Sequence, residues 1–394
     1  MASAKRCWAS ILSCWATWLL IAGASRPVAA GTPTPLQQYN VLYFVADDLR
    51  PEFLASYDQK VMHTPNLDAL ARRGLVFSHA YCSVAVCSPS RNSFMSGRRP
   101  HHTMVFDNSG TDFRANGQGR NWVTLPQHFK QHNYTTLGGG KTFHPNHPAN
   151  WDQPASWSPD LPYYGFRYSN GKCPGVGEPA GGGTAECSGI DTWCRMDAAD
   201  EAFYDYGLAN NTIQQLRYAA ALYKHGGRPF FIQSGFARPH APWRVPARFW
   251  DLYNDTDMPL ARYRDMIDGV PGVAWHKQGF YDARNGTQYV PEHDRPLPDW
   301  VQRQVRHAYY ASVSWMDHQV GRVLQELDAL GLADSTIVLL HGDVSDRYVS
   351  RGCPHGADTN MTPSLVRSAH TSPPAFTPSP PDCNAARLAA RRAQ

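Results

Sequence analysis

The sequence predicts an α/β fold in which a mostly parallel sheet is covered by helices on both faces. Short apolar runs typical of buried parallel strands occur at residues 41–46, 229–234 and 336–340, with a weaker fourth at 135–137. Stretches with the helical spacing of apolar residues alternate with these runs, as in α/β domains. Charged residues follow the strand candidates, as expected where the carboxyl edge of a sheet carries a ligand site.

The composition is that of a globular protein large enough to bury a core. Of the 394 residues, 42% are hydrophobic and 18% are charged. The net charge of +4 would suit a polyanionic ligand, although it also describes an ordinary soluble surface. We find no internal repeat, and we expect no nucleic-acid partner.

The N-terminus has the pattern of a secretory signal peptide. Lys5 and Arg6 precede an apolar run at 7–21, and small residues follow at 22–24. We therefore predict a signal peptide at 1–24 and a linker or propeptide-like segment at 25–37, with an uncleaved anchor as the alternative. No later stretch is apolar enough to cross a bilayer, so we expect a protein of the secretory pathway without a membrane span.

In the secretory pathway, sequons can be glycosylated and cysteines can form disulfides. Acceptor sequons for N-glycans begin at Asn133, Asn210, Asn254, Asn285 and Asn360. Cys173 and Cys187 bracket a Gly-rich loop, and a disulfide between them is our first choice of pairing. Cys82 and Cys194 either pair with each other or are buried thiols, and the spacing does not decide between these alternatives.

The remaining elements follow in order within a catalytic domain at 38–343. A helix is predicted at 64–73, since Thr64 and Pro65 suit its first positions and Gly74 its end. Further helices are predicted at 211–223 and 300–330, and the apolar stripe of the second is a core face. Two long excursions lie at 152–191 and 251–298. From 344 to 394 we see no strand or helix pattern with a core face, and we expect a disordered tail.

Asp47 and Asp48 directly follow the first strand candidate and predict a site for a hard cation. Adjacent carboxylates repel each other unless a divalent ion neutralises them, and oxygen ligands suit calcium or magnesium. Asp343 follows the last strand candidate and would join them. The alternative is a turn or a helix cap, where Asp is common.

The run Cys87-Ser88-Pro89-Ser90-Arg91 predicts a reactive cysteine at a helix N-terminus. Pro89 fits the first turn of a helix, because its missing N–H costs nothing there. Backbone N–H groups at that end attract an anion such as sulfate, and Arg91 can add a charge-assisted contact. The alternative is a buried or disulfide-bonded cysteine.

Three basic residues follow other strand candidates. Lys141 and His144 lie after the strand at 135–137, and His240 lies after the strand at 229–234. A histidine can donate a proton to a leaving oxygen near neutral pH, and a lysine can balance anionic charge in a transition state. Considered singly, each is more typical of a surface lysine or a structural histidine.

Together these residues identify a resemblance to the sulfatase family, which covers about residues 38–343. The matching segments are Asn40-Val41-Leu42, the run from Val45 to Pro51, the run from Ala85 to Arg91, Gly97-Arg98-Arg99-Pro100, the run from Gly140 to Pro145, the run from Arg238 to Pro242 and the run from Tyr310 to Asp317. The resemblance implies an alkaline-phosphatase-like α/β/α sandwich. It also implies a lysosomal hydrolase of the 2-O-sulfate of iduronate in heparan and dermatan sulfate.

The family mechanism assigns a role to each matching position. Cys87 would be oxidised to formylglycine by the formylglycine-generating enzyme, and its hydrated form would attack sulfur and later expel sulfate. Arg91 would stabilise the modified residue, and Lys141 and His240 would contact the sulfate, with His240 as acid for the leaving oxygen. His144 would assist deprotonation of the second hydroxyl. One calcium ion would bind Asp47, Asp48, Asp343 and the modified Cys87.

The sequence departs from the family after Asp343. The family has a histidine or asparagine where this chain has Val344, and valine cannot bind calcium. We see no similarity beyond this point and no C-terminal subdomain. Because Val344-Ser345 can be encoded by a splice-donor sequence, our hypothesis for the aberrant tail is a retained intron or an error in the gene model. We expect this chain to fold poorly and its activity to be weak or absent.

Two other functions remain compatible with the sequence. One is a phosphoester or phosphonate hydrolase of the same fold, and the other is a catalytically dead secreted protein that binds sulfated glycans. Comparing the turnover of sulfate esters with that of phosphate esters would distinguish a sulfatase from a phosphoester hydrolase. Affinity for sulfated glycans without turnover would support the catalytically dead binding protein.

Overall fold

A mostly parallel sheet forms the centre of the protein. The computed structural model describes residues 38–51, 61–166, 193–260, 280–282, 287–290, 296–344 and 364–367. The strands in these ranges are β1 (Asn40–Asp47), β2 (Leu75–Phe77), β3 (Thr135–Gly140), β4 (Trp193–Met196), β5 (Phe230–Pro239), β6 (Trp243–Pro246), β7 (Phe280–Asp282), β8 (Thr287–Tyr289), β9 (Thr336–Gly342) and β10 (Ser364–Arg367). Over the described ranges, the central sheet has the order β2-β10-β9-β1-β5-β3.

The strand pairing confirms the parallel sheet that the sequence predicts. β1 lies between β5 and β9 and is parallel to both, and β3 extends the sheet in parallel beside β5. β4 pairs with β6 and β7 with β8 in two separate two-stranded ribbons. The four predicted strands are all present, and β3 and β5 run three and five residues further than the predictions at 135–137 and 229–234.

Helices cover both faces of this sheet. They are α1 (Pro65–Arg72), α2 (Cys87–Ser96), α3 (Pro100–Thr103), α4 (Leu125–Gln131), α5 (Tyr204–Gly226), α6 (Ala247–Trp250) and α7 (Asp299–Ala329) within the part of the chain that the structure describes. α1 and α7 match the predicted helices at 64–73 and 300–330. α5 begins seven residues before the predicted start at 211. Gly207 and the polar residues of its first two turns interrupt the helical spacing of apolar residues on which the prediction depended.

Successive residues of β1 show the two layers. Leu42, Phe44 and Ala46 pack in one apolar cluster with residues of α1, α5 and α7. Val41 and Tyr43 point to the other face, where they pack with Met95 of α2 and with Phe143 and Trp157. Because β1 is buried along its whole length, its sequence is continuously apolar rather than alternating. This arrangement confirms the predicted α/β/α sandwich.

A carboxylate of α7 holds the start of α1. Asp317 Oδ1 accepts a hydrogen bond from the backbone N–H of Leu67 at 2.7 Å, and Asp317 Oδ2 accepts one from Asn66 Nδ2 at 2.7 Å. Thr64 provides no side-chain cap of its own. The N-terminal N–H groups of α1 are therefore satisfied by a residue about 250 positions away in the sequence.

The prediction of a disordered tail from 344 onward is wrong for residues 364–367. These residues form β10, which is antiparallel to both β9 and β2 and lies between them. Four residues with two apolar side chains are too few for a period to be read, and the strand is defined by pairing with distant parts of the chain. Residues 345–363 and 368–394 lie outside the described ranges, as do the predicted signal peptide at 1–24 and the linker at 25–37.

Candidate active site

Three carboxylates meet at the carboxyl edge of the central sheet. Asp47 ends β1, Asp48 follows it with a φ of 60°, and Asp343 follows the neighbouring strand β9. Carboxylate oxygens of all three lie within 4.8 Å of one another. The backbone N–H of Asp343 donates to the carbonyl of Ala46 at 3.2 Å, which fixes the two strand ends side by side. The structure therefore brings together the residues that the sequence predicts as cation ligands.

Two buried cations hold this cluster. Arg91 Nη2 lies 3.0 Å from Asp47 Oδ1, and Arg91 Nε lies 2.9 Å from Asp343 Oδ2. Lys141 Nζ lies 2.5 Å from Asp47 Oδ2. Arg91 also donates from Nη1 to the carbonyls of Lys141 and Thr142. Arg91 therefore joins the ends of three strands, since Asp47, Asp343 and Lys141 follow β1, β9 and β3.

Charge and burial together set the pKa values of the carboxyl groups. Burial raises the pKa of Asp47, but Lys141 and Arg91 outweigh burial and hold it below its usual value. Burial and the two neighbouring carboxylates raise the pKa of Asp48 well above its usual value. Burial raises the pKa of Asp343 to about 6 despite Arg91. If all three carboxyl groups are ionised, three negative charges face the two positive charges of Arg91 and Lys141.

Cys87 is the first residue of α2, as the sequence predicts, and points into this cluster. Its Sγ lies 3.5 Å from Asp47 Oδ1 and 3.8 Å from Asp48 Oδ1. Burial, followed by the surrounding carboxylates, raises the pKa of the thiol well above its usual value, although Lys141 opposes them. The unmodified side chain is therefore a neutral thiol and a weak nucleophile in this environment.

His240 reaches the same edge from a loop after β5. Its Nε2 lies 3.6 Å from Asp48 Oδ2. Its Nδ1 lies at hydrogen-bond distance from the carbonyl of Ala241, and a carbonyl can only accept, so Nδ1 carries the proton. The lone pair of a neutral His240 is therefore on Nε2 and faces the cluster. Burial lowers the pKa of His240.

Asp205 at the start of α5 holds the loop that carries His240. Its two carboxylate oxygens accept the backbone N–H groups of Ala237 at 2.8 Å and Arg238 at 3.0 Å. Arg238 Nη1 in turn donates to the carbonyl of His240 at 2.6 Å. Both Asp205 and Arg238 are buried, so this chain of contacts fixes the backbone on either side of the imidazole. The sequence prediction did not include Asp205.

His144 lies beside the carboxylate cluster rather than in it. Its ring stacks on that of His147 with 6.1 Å between centroids, and its Nδ1 is buried without a hydrogen-bond partner in the described part of the chain. Burial and the charges of Lys141 and Arg91 lower the pKa of His144 to about 3. At physiological pH it is neutral and is available to a ligand as a hydrogen-bond partner.

Further residues that the sequence did not indicate shape the start of α2. Asn108 Oδ1 accepts the N–H of Ser88 at 2.9 Å, and Asn92 Nδ2 donates to the carbonyl of Ser88 at 2.8 Å. Ser90 Oγ donates to the carbonyl of Asp343 at 2.5 Å. Asn108 and Asp343 reach the helix from other parts of the chain, and no pattern of spacing in the sequence signals these two contacts.

The chain lacks a side-chain ligand directly after Asp343. Val344 is buried, and its N–H donates to Asp343 Oδ1 at 2.8 Å. Its side chain offers no donor atom. The three carboxylates are therefore the oxygen ligands that this edge provides among the described residues.

The structure describes some, but not all, of the cysteines and sequons for which a modification is predicted. Cys173, Cys187, Asn285 and Asn360 lie outside the described residues. Cys194 is bonded in a disulfide, whereas Cys82 keeps its thiol, so the alternative pairing of these two is wrong. Asn133 and Asn254 are exposed, while Asn210 is half-buried in α5 with Oδ1 accepting from Arg322 Nη2. Glycosylation at these positions stays a prediction.

The fold and this cluster define an α/β protein of the alkaline-phosphatase-like architecture with a cysteine–carboxylate site. The chain belongs to the sulfatase family, since the sequence model described as Sulfatase matches residues 39–368. The match extends past Asp343 and includes β10, so the expectation that similarity stops at Asp343 is wrong.

Individual relatives place the chain within the family. It is 37% identical over 345 residues to iduronate 2-sulfatase of Homo sapiens, an alignment covering 83% of this chain and 59% of that protein. It is 35% identical over 318 residues to iduronate 2-sulfatase of Mus musculus, covering 77% of this chain and 54% of that protein. The chain thus spans less than two thirds of the length of these relatives.

A solved structure shows the same fold. The phosphonate monoester hydrolase of Agrobacterium radiobacter superposes with a TM-score of 0.59 at 17% identity, covering 84% of this chain and 68% of that one. Within the described ranges, none of the helices is both long enough and apolar enough to span a membrane.

Proposed function

We propose that the chain is a sulfuric ester hydrolase for the 2-O-sulfate of iduronate in heparan and dermatan sulfate, with weak turnover because Val344 offers no side-chain ligand to the cation. The observation that carries this proposal is the position of Cys87. It begins α2 and contacts Asp47, the carboxylate to which Arg91 and Lys141 are both paired, so a group at position 87 lies beside the two buried cations. The substrate follows from the likeness to iduronate 2-sulfatase, and the sulfated glycosaminoglycan is the proposed partner.

The carboxylate cluster fits a hard divalent cation, for which we propose one Ca²⁺. Asp47, Asp48 and Asp343 supply oxygen ligands only, which is the ligand type of calcium and magnesium. Burial, together with the neighbouring carboxylates, raises the pKa values of Asp48 and Asp343, and a bound cation would favour their ionised forms. A bound cation would supply Lewis-acid polarisation of the reacting oxygens. Val344 leaves the site one ligand short of the family pattern.

The charges at the site suit a sulfate monoester. The three carboxylates, the two cations Arg91 and Lys141 and a divalent ion sum to about one positive charge. A sulfate ester carries one negative charge and would neutralise it. Binding the anion would therefore complete the charge balance of a buried site, which is the arrangement that electrostatic catalysis requires.

Oxidation of Cys87 to formylglycine would supply the oxygen nucleophile, and the formylglycine-generating enzyme is the partner that this step requires. Arg91, fixed between Asp47 and Asp343, would hold that residue in place. Lys141 Nζ would contact the sulfate oxygens. His144, which is neutral, would accept a hydrogen bond from a hydroxyl at position 87.

His240 would act on the leaving oxygen in its doubly protonated form. Because Nδ1 already donates to Ala241, transfer to the leaving group needs a second proton on Nε2. Asp48 Oδ2, 3.6 Å away, would stabilise that charge. We also propose a lysosomal or secretory location, which fits the predicted signal peptide.

Two measurements test the proposed function. Mass spectrometry of the peptide that contains Cys87, from chain produced in secretory cells, should show formylglycine. The same protein should release sulfate from a 2-O-sulfated iduronate disaccharide, and Lys141→Ala should abolish that release. Formylglycine with no sulfate release would refute the activity, and glycan binding without turnover would identify a binding protein.

A phosphonate or phosphate ester hydrolase is the second candidate, favoured by the fold shared with the phosphonate monoester hydrolase. A phosphate monoester carries up to two negative charges at neutral pH and would leave this site with about one negative charge in excess. We expect kcat/KM for an aryl sulfate to exceed kcat/KM for the matched aryl phosphate monoester. The reverse order would favour the second candidate.

A further inference from the structure

A second set of cation ligands overlaps the carboxylate cluster. Asp47, Cys87 and His240 offer one oxygen, one sulfur and one nitrogen atom that all lie within 4.8 Å of one another. This set shares Asp47 with the oxygen ligands but excludes Asp343. Sulfur and imidazole nitrogen are ligands of Zn²⁺ and related ions, and calcium does not select them.

We propose that the chain in its thiol form, before Cys87 is oxidised, holds one Zn²⁺ between Cys87, His240, Asp47 and Asp48. The ion would bind the Cys87 sulfur as thiolate, and the thiol proton would pass to solvent as the Zn–S bond forms. The proposal does not depend on sulfate-ester hydrolysis, because it concerns the state of Cys87 that precedes that chemistry.

The distances fit a tetrahedral zinc site. With Zn–S of about 2.3 Å and Zn–O of about 2.0 Å, a tetrahedral angle places sulfur and oxygen about 3.5 Å apart. Cys87 Sγ and Asp47 Oδ1 are 3.5 Å apart. Two nitrogen or oxygen ligands would be about 3.3 Å apart by the same geometry. His240 Nε2 and Asp48 Oδ2, at 3.6 Å, need to approach by only a few tenths of an ångström.

The surroundings orient the ligands. The Nδ1 proton of His240 is held by the carbonyl of Ala241, which directs the lone pair on Nε2 into the site, as is common for histidines that bind metals. Lys141 and Arg91 fix the two oxygens of Asp47. The side chains of His240 and Asp48 are 18% and 13% exposed, so an ion can enter from solvent.

The charges at the site favour Zn²⁺ binding while Cys87 is a thiol. Three carboxylates and a thiolate carry four negative charges, which Arg91, Lys141 and Zn²⁺ offset in full. A site without net charge has no excess with which to bind a sulfate ester. Replacement of the thiol by an uncharged oxygen group removes the soft ligand and one negative charge, and the preference then shifts towards an oxygen-seeking ion.

Co²⁺ titration of the full-length chain tests the proposal, because Co²⁺ replaces Zn²⁺ in such sites and reports its ligands spectroscopically. The chain is produced without the oxidising enzyme, and a thiol at Cys87 is verified by mass spectrometry. We expect one equivalent of Co²⁺ to produce a sulfur-to-cobalt charge-transfer band and the intense d–d bands of a four-coordinate ion. One equivalent of Zn²⁺ should displace it.

Variants separate this site from other ligands in the chain. Cys87→Ser should abolish the charge-transfer band, and His240→Ala should lower the Co²⁺ affinity at least tenfold. Cys82→Ser, a matched thiol control, should leave the charge-transfer band and the Co²⁺ affinity unchanged. Asp343→Asn should lower the affinity for Ca²⁺ more than that for Co²⁺. Circular dichroism confirms that each variant is folded.

Three outcomes would overturn the proposal: no charge-transfer band in the parent chain, a band that persists in Cys87→Ser, or equal Co²⁺ affinity in His240→Ala and the parent. The titration needs no substrate. A chain that releases no sulfate but shows the band would thus refute the proposed function and support the zinc site, and the converse result would do the opposite.

Discussion

Replacement of Asp205 by alanine should destabilise the protein strongly, although Asp205 contacts no proposed ligand of the cation. The substitution removes the acceptor of two buried backbone N–H groups, those of Ala237 and Arg238. Each unsatisfied buried donor costs about 1–3 kcal/mol. It also removes a negative charge beside the buried guanidinium of Arg238, and breaking such a pair costs about 3–5 kcal/mol in other proteins.

These contributions overlap because they act on one carboxylate, so we expect a total loss of about 3–5 kcal/mol. That is a large part of the roughly 5–15 kcal/mol by which a typical domain is stable. The measurement is urea unfolding followed by tryptophan fluorescence and circular dichroism at pH 7.5. Asp205→Asn should lie between the parent and Asp205→Ala, since one amide oxygen can still accept one of the two N–H groups.

Asp257→Ala provides the matched control. Asp257 is exposed, and its carboxylate accepts two long hydrogen bonds at the surface, from Asn254 Nδ2 at 3.3 Å and from Thr256 Oγ1 at 3.4 Å. Its loss should change the free energy of unfolding by less than about 0.5 kcal/mol. A loss in Asp205→Ala no larger than in Asp257→Ala would refute the claim that Asp205 holds the loop that carries His240.

Three further predictions concern the same edge and the core beneath it. Val344→His should raise the Ca²⁺ affinity about tenfold by adding a ligand beside the carboxylates, whereas Val344→Leu should not, as read by calorimetric titration. Gly235→Ala should destabilise by more than about 3 kcal/mol, because its Cβ would lie 2.2 Å from the carbonyl carbon of Lys141. Gly226→Ala, a helical glycine with open space around its Cβ, should instead stabilise by about 0.5–1 kcal/mol in the same urea assay, and a similar effect of both changes would contradict the reasoning. Burial raises the pKa of Asp317 to about 7, so the folded state retains a proton that the unfolded chain has lost between about pH 4 and pH 7. The free energy of unfolding should therefore fall as pH rises from about 4 to 7. Asp317→Asn should make the free energy of unfolding less dependent on pH in this range.

The sequence was sufficient for the parts of the fold that depend on local pattern. β1 is a continuous apolar run because both of its faces are covered, and β9 is a shorter run in which alternate residues are fully buried. The acidic residues at the ends of β1 and β9 lie at one edge because these strands are parallel. The prediction that Asp47, Asp48 and Asp343 come together therefore required only the strand assignment.

What the sequence could not indicate depends on contacts between distant residues. Asp205 is an ordinary acidic residue in the first turn of a helix until the backbone of Ala237 is placed against it. Asn108 is likewise one of several polar residues in an irregular loop. β10 has too few residues to show a period, and its partners on either side are remote in the chain.

The position of β10 has a consequence for synthesis on the ribosome. β2 is joined to the central sheet only through β10 in the described part of the structure, and about 290 residues separate the two strands in the chain. At about 5–20 residues per second, β2 would wait roughly 15–60 s for its partner. During that time the exposed side chains of Leu75 and Phe77 lie on an unpaired edge, which is a site for aggregation or chaperone binding. Among the described strands β10 is the last to emerge, so its synthesis determines how long this edge of the nascent protein is exposed.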